Sequence, residues 1–303
     1  MPFTIACVGH ASVDHHFEID RFADHPTKTP AHSYRMIVGG MAANAAMALT
    51  RLGVQVRLLG RVGVDAAGDF VRAELTRLGV DVRLEQVAGA ATSVSSVVVD
   101  ARGERQIFNH RGDALARAHA LDTSQLQGAC ALLVDPRWAD GAAAALVWAR
   151  QQGILSMLDA DVAPLVDLQR LVPLAVWVVF SEPGLKVFAS GLEPQQGLQQ
   201  AVGSGARNAM VTLGSRGMQW PQDGAFHTLP AFEVVALDTT GAGDVFHGAL
   251  LLALAGGVEP GWSVEQCARF ASAAAALKCQ RRHGVMGTPS RAEVLAFLDS
   301  VSA

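Results

Sequence analysis

The chain has 303 residues, of which 50% are apolar and 6% aromatic, and a formal net charge of −4 at pH 7. This length and apolar content are sufficient for a large α/β core. The weak negative charge argues against the broad basic surface of a nucleic-acid-binding protein. No apolar run is long enough to cross a bilayer without glycine or charge, and no leader pattern opens the chain. We therefore expect a cytoplasmic protein with reduced cysteines and with neither nucleic-acid nor membrane partners.

The first third of the chain predicts two kinds of strand. Phe3–Gly9 and Val54–Gly60 are short and apolar, as buried strands are. Gly39 and Gly40 open a small-residue helix over 41–52, and Asp65 caps a helix over 66–78. Four further segments, partly alternating or paired around a turn, predict a small sheet that projects from the main body; they are 13–19, 34–38, 94–99 and 104–108.

From residue 129 onward, apolar strands alternate with helices, which is typical of a parallel sheet covered on both faces. A strand-like segment over 232–237 precedes an apolar helix that starts near Val245, and no linker or repeat divides residues 1–303. We therefore predict a single α/β domain. The core strands are predicted at 129–134, 154–158, 175–180 and 209–213, the helices at 139–152, 263–279 and 291–298, and a short antiparallel pair at 218–220 and 225–228.

Polar residues follow most of these core strands. Ligands of open parallel sheets bind beyond the carboxyl ends of the strands, so topology alone predicts a shared rim there. The residues expected at this rim are Asp14, Arg137, Asp159, Glu182, Gly214 and the turn before Asp244.

The segment 238–248, DTTGAGDVFHG, joins a glycine-rich turn to the apolar helix. Gly241 and Gly243 allow neighbouring N–H groups to point the same way, and a helix N-terminus attracts anions such as phosphate. Asp244, in the first helical turn, is placed to accept a proton from a hydroxyl that attacks a phosphoryl group. Ordinary helix capping is the alternative for Asp244, and packing is the expected role of His247. The glycine spacing matches neither the dinucleotide fingerprint nor the Walker A loop.

Four segments in order resemble the ribokinase-like (PfkB) family of sugar kinases. They are Gly39-Gly40 with Asn44, GRVGVDAAG at 60–68, VTLGSRG at 211–217 and DTTGAGD at 238–244, and together they span nearly the whole chain. The resemblance implies a ribokinase-like three-layer αβα fold with a mainly parallel central sheet. It also implies a β-sheet lid, inserted from about 12–38 and 90–110, that pairs two subunits in a homodimer. The implied activity is that of an ATP- and Mg²⁺-dependent sugar kinase.

The resemblance also implies individual roles. Asp244 would be the general base, and the N–H groups of Gly241, Ala242 and Gly243 would form the anion hole. The residues implied for sugar hydroxyls are Asp14, Gly40 and Asn44, and those for ATP are Thr212, Gly214 and Gly217.

One segment departs from the family pattern. Where the family carries Asn-x-x-Glu, this chain has Ser181-Glu182-Pro183-Gly184. Glu182 is therefore a candidate for Mg²⁺ through water, and a serine-capped helix start is the structural alternative. Asp238 and the loop 284–290 lie where relatives hold a monovalent cation, which makes such a cation possible here.

The segments DPRWADGA at 135–142, SEPGL at 181–185 and VFHGAL at 245–250 resemble the sulfofructose kinases of sulfoglycolysis, which phosphorylate the 1-hydroxyl of 6-deoxy-6-sulfofructose. A sulfonate is a fixed anion, so its pocket needs cationic and amide donors. The resemblance implies Lys28, Asn109 and Arg137 for this contact, with His110 and Arg111 secondary. A 6-phosphosugar (fructose 6-phosphate or tagatose 6-phosphate) would suit the same cations. A neutral ketose or nucleoside kinase and a non-catalytic sugar-binding regulator also stay open.

Overall fold

The computed structural model describes residues 3–116, 119 and 121–301, so residues 1, 2, 117, 118, 120, 302 and 303 of the predicted domain lie outside the described part. Within it, the strands form two sheets. The strands are β1 (Thr4–Gly9), β2 (Ser12–Ile19), β3 (Ser33–Gly39), β4 (Gln55–Gly63), β5 (Asp81–Val87), β6 (Ser93–Asp100), β7 (Arg105–His110), β8 (Ala131–Val134), β9 (Leu155–Ala160), β10 (Trp177–Ser181), β11 (Asn208–Thr212), β12 (Met218–Gln222) and β13 (Ala225–Leu229). The α-helices are α1 (Met41–Arg51), α2 (Ala66–Arg77), α3 (Ala139–Gln152), α4 (Leu165–Leu171), α5 (Glu182–Phe188), α6 (Pro194–Gly203), α7 (Ala242–Leu254), α8 (Val264–Cys279) and α9 (Arg291–Ser300).

The large sheet has nine strands in the order β13-β12-β11-β10-β9-β8-β1-β4-β5. All neighbours from β11 to β5 pair in parallel, and β12 and β13 form an antiparallel edge. From β1 the chain first builds toward β4 and β5, and later returns to the other side of β1 with β8. The carboxyl ends of β1 and β8 therefore flank a topological switch point, where such sheets bind ligands.

Alternate residues of the central strands face two separate cores. In β1, Ile5 and Cys7 pack into one core, and Ala6 and Val8 into the other. The first core includes buried residues of α1, α2, α7, α8 and α9, whereas the second includes those of α3, α4, α5 and α6. The strands are fully buried because helices cover both faces, and this accounts for their continuous apolar sequences. The predicted three-layer αβα architecture is confirmed.

The small sheet has the order β3-β2-β6-β7, with β2 and β6 parallel and the other pairs antiparallel. Only His10 and Ala11 separate β1 from β2, so the small sheet grows directly from the ligand-binding end of the large one. Four apolar side chains of β3 and β7 stay exposed, namely Tyr34, Met36, Ile107 and Phe108.

Several elements differ from the sequence predictions. The predicted strand over 232–237 is wrong: this segment has no strand pairing, and Val235 and Leu237 are exposed. The segment runs beside the end of α8 instead, where Leu237 N–H donates to Cys279 O. Strand β5 and helices α4 and α6 were not predicted. No helix in the described residues is long and apolar enough to span a membrane.

Candidate active site

A cavity of about 430 Å³ opens at the carboxyl ends of β1 and β8, between the two sheets. Its wall comes from the start of α1, the small sheet, and the turn that follows β8. The predicted site residues that line the cavity are Asp14, Gly40, Asn44, Asn109 and Arg137. Further polar residues in the lining include His10, Arg61, Ser95, Arg111 and Asp161. Glu182 and Gly214 follow β10 and β11 outside this cavity, and Asp159 is only 2% exposed.

Asp135, which directly follows β8, holds three parts of the wall together. Its carboxylate accepts hydrogen bonds from the backbone N–H groups of His10 (2.7 Å), Ala42 (3.0 Å) and Arg137 (2.9 Å). Burial raises the pKa of Asp135 to about 6, although these N–H donors oppose the shift. Local sequence patterns did not predict this role, because the three donors are brought together only by the fold.

The backbone is unusually close at the start of α1. Gly40 has φ 98°, and a Cβ there would lie 2.5 Å from His10 O. Only glycine fits this position, so Gly40 brings the N-terminus of α1 against the end of β1. Asn44, one turn along α1, consequently reaches the cavity wall.

Three guanidinium groups line the cavity, and their partners differ. Arg61 is 8% exposed, stacks over Trp138 and donates to Leu115 O at 2.7 Å, so it is fixed in the wall. Arg137 has one distant carboxylate partner, Asp161, at 3.8 Å. Arg111 has no hydrogen bond or ion pair within the described residues.

His10 carries no charge at neutral pH. Burial, followed by the positive charges of Arg137 and Arg111, lowers the pKa of His10 to about 4. Its Nε2 lies 2.9 Å from the hydroxyl oxygen of Ser93. The cavity thus combines two incompletely paired cations with neutral donors, and this is the chemistry that an anion requires.

The small sheet contributes Asp14 and Asn109, on β2 and β7. Burial raises the pKa of Asp14, partly opposed by nearby His16. Lys28 lies in the exposed segment between β2 and β3 and does not line the cavity. Its contact with the substrate stays a prediction.

Helix α7 begins at the glycine-rich turn with backbone N–H groups that no side chain caps. Gly241 has φ 73°, and a Cβ there would lie 2.3 Å from Val285 Cγ2, so a side chain is excluded. Ala242 N–H donates to Thr239 O at 3.2 Å, so the N–H groups of Gly241 and Gly243 are the better anion donors in this turn. Arg105, at the start of β7, donates to the hydroxyls of Thr239 (3.0 Å) and Thr240 (3.3 Å).

Asp244 connects this helix to the cavity through Asn44, whose Nδ2 donates to Oδ2 of Asp244 at 2.7 Å. Burial, and next the charge of Asp159, raise the pKa of Asp244 well above its usual range. The Asn44 bond and the nearby His247 oppose this shift. A carboxylate with a raised pKa is a stronger base once ionised.

The candidate ATP residues lie at and beyond the end of β11. Gly214 is exposed, and Gly217 ends a short 3₁₀ turn over Gly214–Arg216. Thr212 donates its hydroxyl to Phe180 O at 3.3 Å. Their contact with ATP stays a prediction.

The predicted magnesium contact fits less well. Glu182 pairs with both Lys186 and Arg216, and it begins α5 behind the Ser181 cap, as the structural alternative anticipated. No cluster of three or more His, Cys, Asp or Glu side chains in the described residues could hold a metal ion. Mg²⁺ usually binds through substrate phosphates and few protein ligands, so this absence does not conflict with ATP use.

The buried ammonium group of Lys278 lies next to Asp238. Lys278, whose side chain is 0% exposed, donates to Asp238 O at 2.8 Å and lies 3.7 Å from Oδ1. The same carboxylate accepts from the N–H groups of Thr240 and Gly284. Lys278 therefore supplies a positive charge beside Asp238, where the sequence analysis considered a monovalent cation possible.

Comparisons with known proteins agree with the sequence motifs. The family model described as pfkB family carbohydrate kinase matches residues 3–291. A ribokinase from Haemophilus influenzae is 25% identical over 309 residues, which cover 98% of each protein. An ATP-dependent ribose-1-phosphate kinase from Halopiger xanaduensis is 29% identical over 300 residues, which cover 97% of each.

The fold also matches a solved structure. A crystal structure of a provisionally assigned ribokinase from Agrobacterium tumefaciens superposes with a TM-score of 0.91 at 31% identity. The match covers 99% of this chain and 98% of that one.

Proposed function

Because this chain belongs to the pfkB family of carbohydrate kinases, we propose that it transfers the γ-phosphoryl group of ATP to the 1-hydroxyl of 6-deoxy-6-sulfofructose. The products are 6-deoxy-6-sulfofructose 1-phosphate and ADP. Family membership itself makes the protein an ATP-dependent sugar kinase, a transferase with an alcohol group as acceptor. The assignment of 6-deoxy-6-sulfofructose as the acceptor goes beyond what family membership shows.

One observation carries this choice: two cations that line the sugar cavity, Arg111 and Arg137, have no carboxylate partner closer than 3.8 Å among the described residues. Arg111 is exposed and Arg137 is half-buried, so an anionic group gains charged hydrogen bonds from both that a neutral sugar does not. A sulfonate accepts hydrogen bonds from both and from Asn109. Asp14, Gly40 and Asn44 line the remaining wall, where they suit the sugar hydroxyls. Lys28 is a further candidate for the sulfonate if its exposed segment closes over the cavity.

The proposed reaction uses Asp244 as the base. The 1-hydroxyl donates its proton to the Asp244 carboxylate, which Asn44 holds in place, as the oxygen attacks. The N–H groups of the turn over 241–243 stabilise the charge on the transferring phosphoryl group. ATP, lined by Thr212, Gly214 and Gly217, supplies the phosphoryl group, and Mg²⁺ neutralises its charge, with Glu182 at most an indirect contact through water.

We further propose that residues 1–303 act as one domain in the cytoplasm, and that the segments 12–38 and 90–110 form a lid. The exposed side chains of Tyr34, Met36, Ile107 and Phe108 suit pairing of two lids in a homodimer. Monovalent-cation binding is not part of the proposal, because Lys278 already neutralises Asp238.

A 6-phosphosugar is the second candidate acceptor, since a phosphate suits the same cations. The ribose-1-phosphate kinase relative, named for a phosphorylated sugar, favours this alternative. A phosphate monoester carries up to two negative charges, whereas a sulfonate carries one. Two incompletely paired cations satisfy either group, so the acceptor must be decided by measurement.

The test compares kcat/KM for 6-deoxy-6-sulfofructose, fructose 6-phosphate and fructose, with a coupled assay of ADP release. We expect the sulfosugar to give the highest value. Arg137→Ala should weaken binding of the anionic sugar by about 1–3 kcal/mol, as the loss of a charged hydrogen bond does, and leave KM for fructose unchanged. Arg83→Ala, an exposed arginine of β5, is the matched control. A clear preference for fructose 6-phosphate would overturn the sulfosugar assignment, and an unchanged KM in Arg137→Ala would remove that residue from the anion site.

A further inference from the structure

A buried acid–imidazole pair lies under the candidate active site, outside the cavity wall. Asp159, near the end of β9, is 2% exposed, and His247, on α7, is 3% exposed. His247 Nδ1 lies 3.0 Å from Oδ2 of Asp159. The contact lacks the alignment of a good hydrogen bond, and His247 Nε2 is buried with no partner in the described residues. A pair with so few hydrogen bonds contributes little to stability, because two desolvated charges gain little beyond their mutual attraction.

The position of the pair relates it to Asp244. His247 follows Asp244 by three residues on α7, so the two side chains share one face of the helix. Three carboxylates gather here, from the end of β8 (Asp135), from β9 (Asp159) and from α7 (Asp244). Asp135 is satisfied by three backbone N–H groups, whereas Asp159 has only His247 as a cationic partner in the described chain.

The charged groups nearest to His247 in the described residues are carboxylates, although Arg137 lies 3.8 Å from one of them, Asp161. Asp159 and Asp161 face it from β9 and the following turn, and Asp244 from its own helix. Helix α1 contributes the neutral Asn44 to this region, and the cation of α8, Lys278, is engaged by Asp238. Although burial opposes a charge on the ring, these carboxylates raise the pKa of His247.

We propose that the Asp159–His247 ion pair positions Asp244 electrostatically, so that His247 is a positioning residue for the step in which Asp244 accepts the proton of the sugar hydroxyl. This inference rests on the proposed function of Asp244 as the base. An ionised Asp159 by itself would disfavour a second negative charge on Asp244. The imidazolium of His247 offsets the charge of Asp159, so a negative charge on Asp244 costs less than it would beside an unpaired carboxylate. His247 does not touch the substrate and transfers no proton itself.

The test is the pH profile of kcat/KM in three variants. In His247→Gln, Asp159 and Asp244 lose the intervening cation, so we expect the acid limb to move to higher pH by about one pH unit or more. In the double variant Asp159→Asn with His247→Gln, a neutral amide pair replaces the ion pair, and the limb should return close to that of the wild type. Ser156→Ala, at a buried polar position of β9, is the control for packing damage.

A purely structural role predicts a different pattern, in which His247→Gln lowers kcat/KM equally at every pH and the double variant is no better. That pattern, or an unchanged pH profile in folded His247→Gln, overturns the inference. Thermal unfolding of each variant shows whether it is folded. Asp244→Asn separates the two proposals: if it turns over normally, the base assignment fails, whereas an inactive Asp244→Asn with an unchanged pH profile in His247→Gln refutes only the role of the pair.

Discussion

Replacing Asp244 by Asn should abolish most activity and at the same time stabilise the folded protein at neutral pH. The amide has nearly the same shape and can still accept the 2.7 Å hydrogen bond from Asn44 through its oxygen. It cannot accept a proton, so we expect kcat to fall by roughly 10²–10⁴-fold, as for the loss of a general base.

The expected gain in stability follows from the raised pKa of Asp244. Burial and the charge of Asp159 make its ionised form less favourable in the folded state than in the unfolded chain. A raised carboxyl pKa means that the folded state binds the proton more tightly, so stability is full below the unfolded pKa and declines as pH rises through the folded pKa. Each tenfold difference in proton affinity between the folded and unfolded states corresponds to about 1.4 kcal/mol at pH values above both pKa values.

The assay is thermal unfolding of the wild type and Asp244→Asn between pH 4 and 8.5 (roughly the range over which a raised carboxyl pKa acts), beside steady-state kinetics. The two melting temperatures should be close at the acid end, with the variant above the wild type at pH 8, by roughly 2 °C per kcal/mol. Asp69→Asn, in the first turn of α2, is the matched control and should change neither property. Near-normal turnover would remove Asp244 as the base, and a lower melting temperature at pH 8 would refute the electrostatic reasoning.

Four other perturbations have expected outcomes. Replacing K⁺ by a bulky organic cation should leave wild-type kcat unchanged, because Lys278 supplies the charge beside Asp238. Lys278→Met should lower the free energy of unfolding by about 3–5 kcal/mol in a denaturant titration, because it leaves a half-buried carboxylate without its cation. Arg105→Ala should lower kcat by roughly 2–10-fold through the loss of hydrogen bonds to Thr239 and Thr240. Arg102→Ala, on the same hairpin, is the control and should leave kcat unchanged. Equal effects of the two variants on kcat would contradict a specific role of Arg105. Phe108→Asp should convert the proposed dimer to a monomer in sedimentation, and a wild-type monomer would refute the lid interface.

Local sequence patterns predicted most of the core correctly. The apolar strands 3–9, 129–134 and 175–180 appear close to their expected positions, because continuous apolar runs of this length must be buried on both faces. The pattern failed at 232–237, where β-branched and apolar residues suggested a strand. Strand pairing depends on tertiary position, and this segment lies beside the end of α8, where Leu237 N–H donates to Cys279 O. β5 was missed because its charged residues, such as Arg83 and Glu85, mask an edge strand of the parallel sheet.

The glycine-rich turn, the helix that follows it and the carboxylate of Asp244 could be predicted from adjacent residues alone, because a turn and a helix N-terminus are built from neighbours in the chain. The carboxylates and cations that act together could not. Asp135 binds N–H groups from residues 10, 42 and 137, and His247 pairs with Asp159 from a different strand. Such contacts join residues far apart in the chain, so only the tertiary structure decides which charges are paired, and therefore which remain available to a substrate.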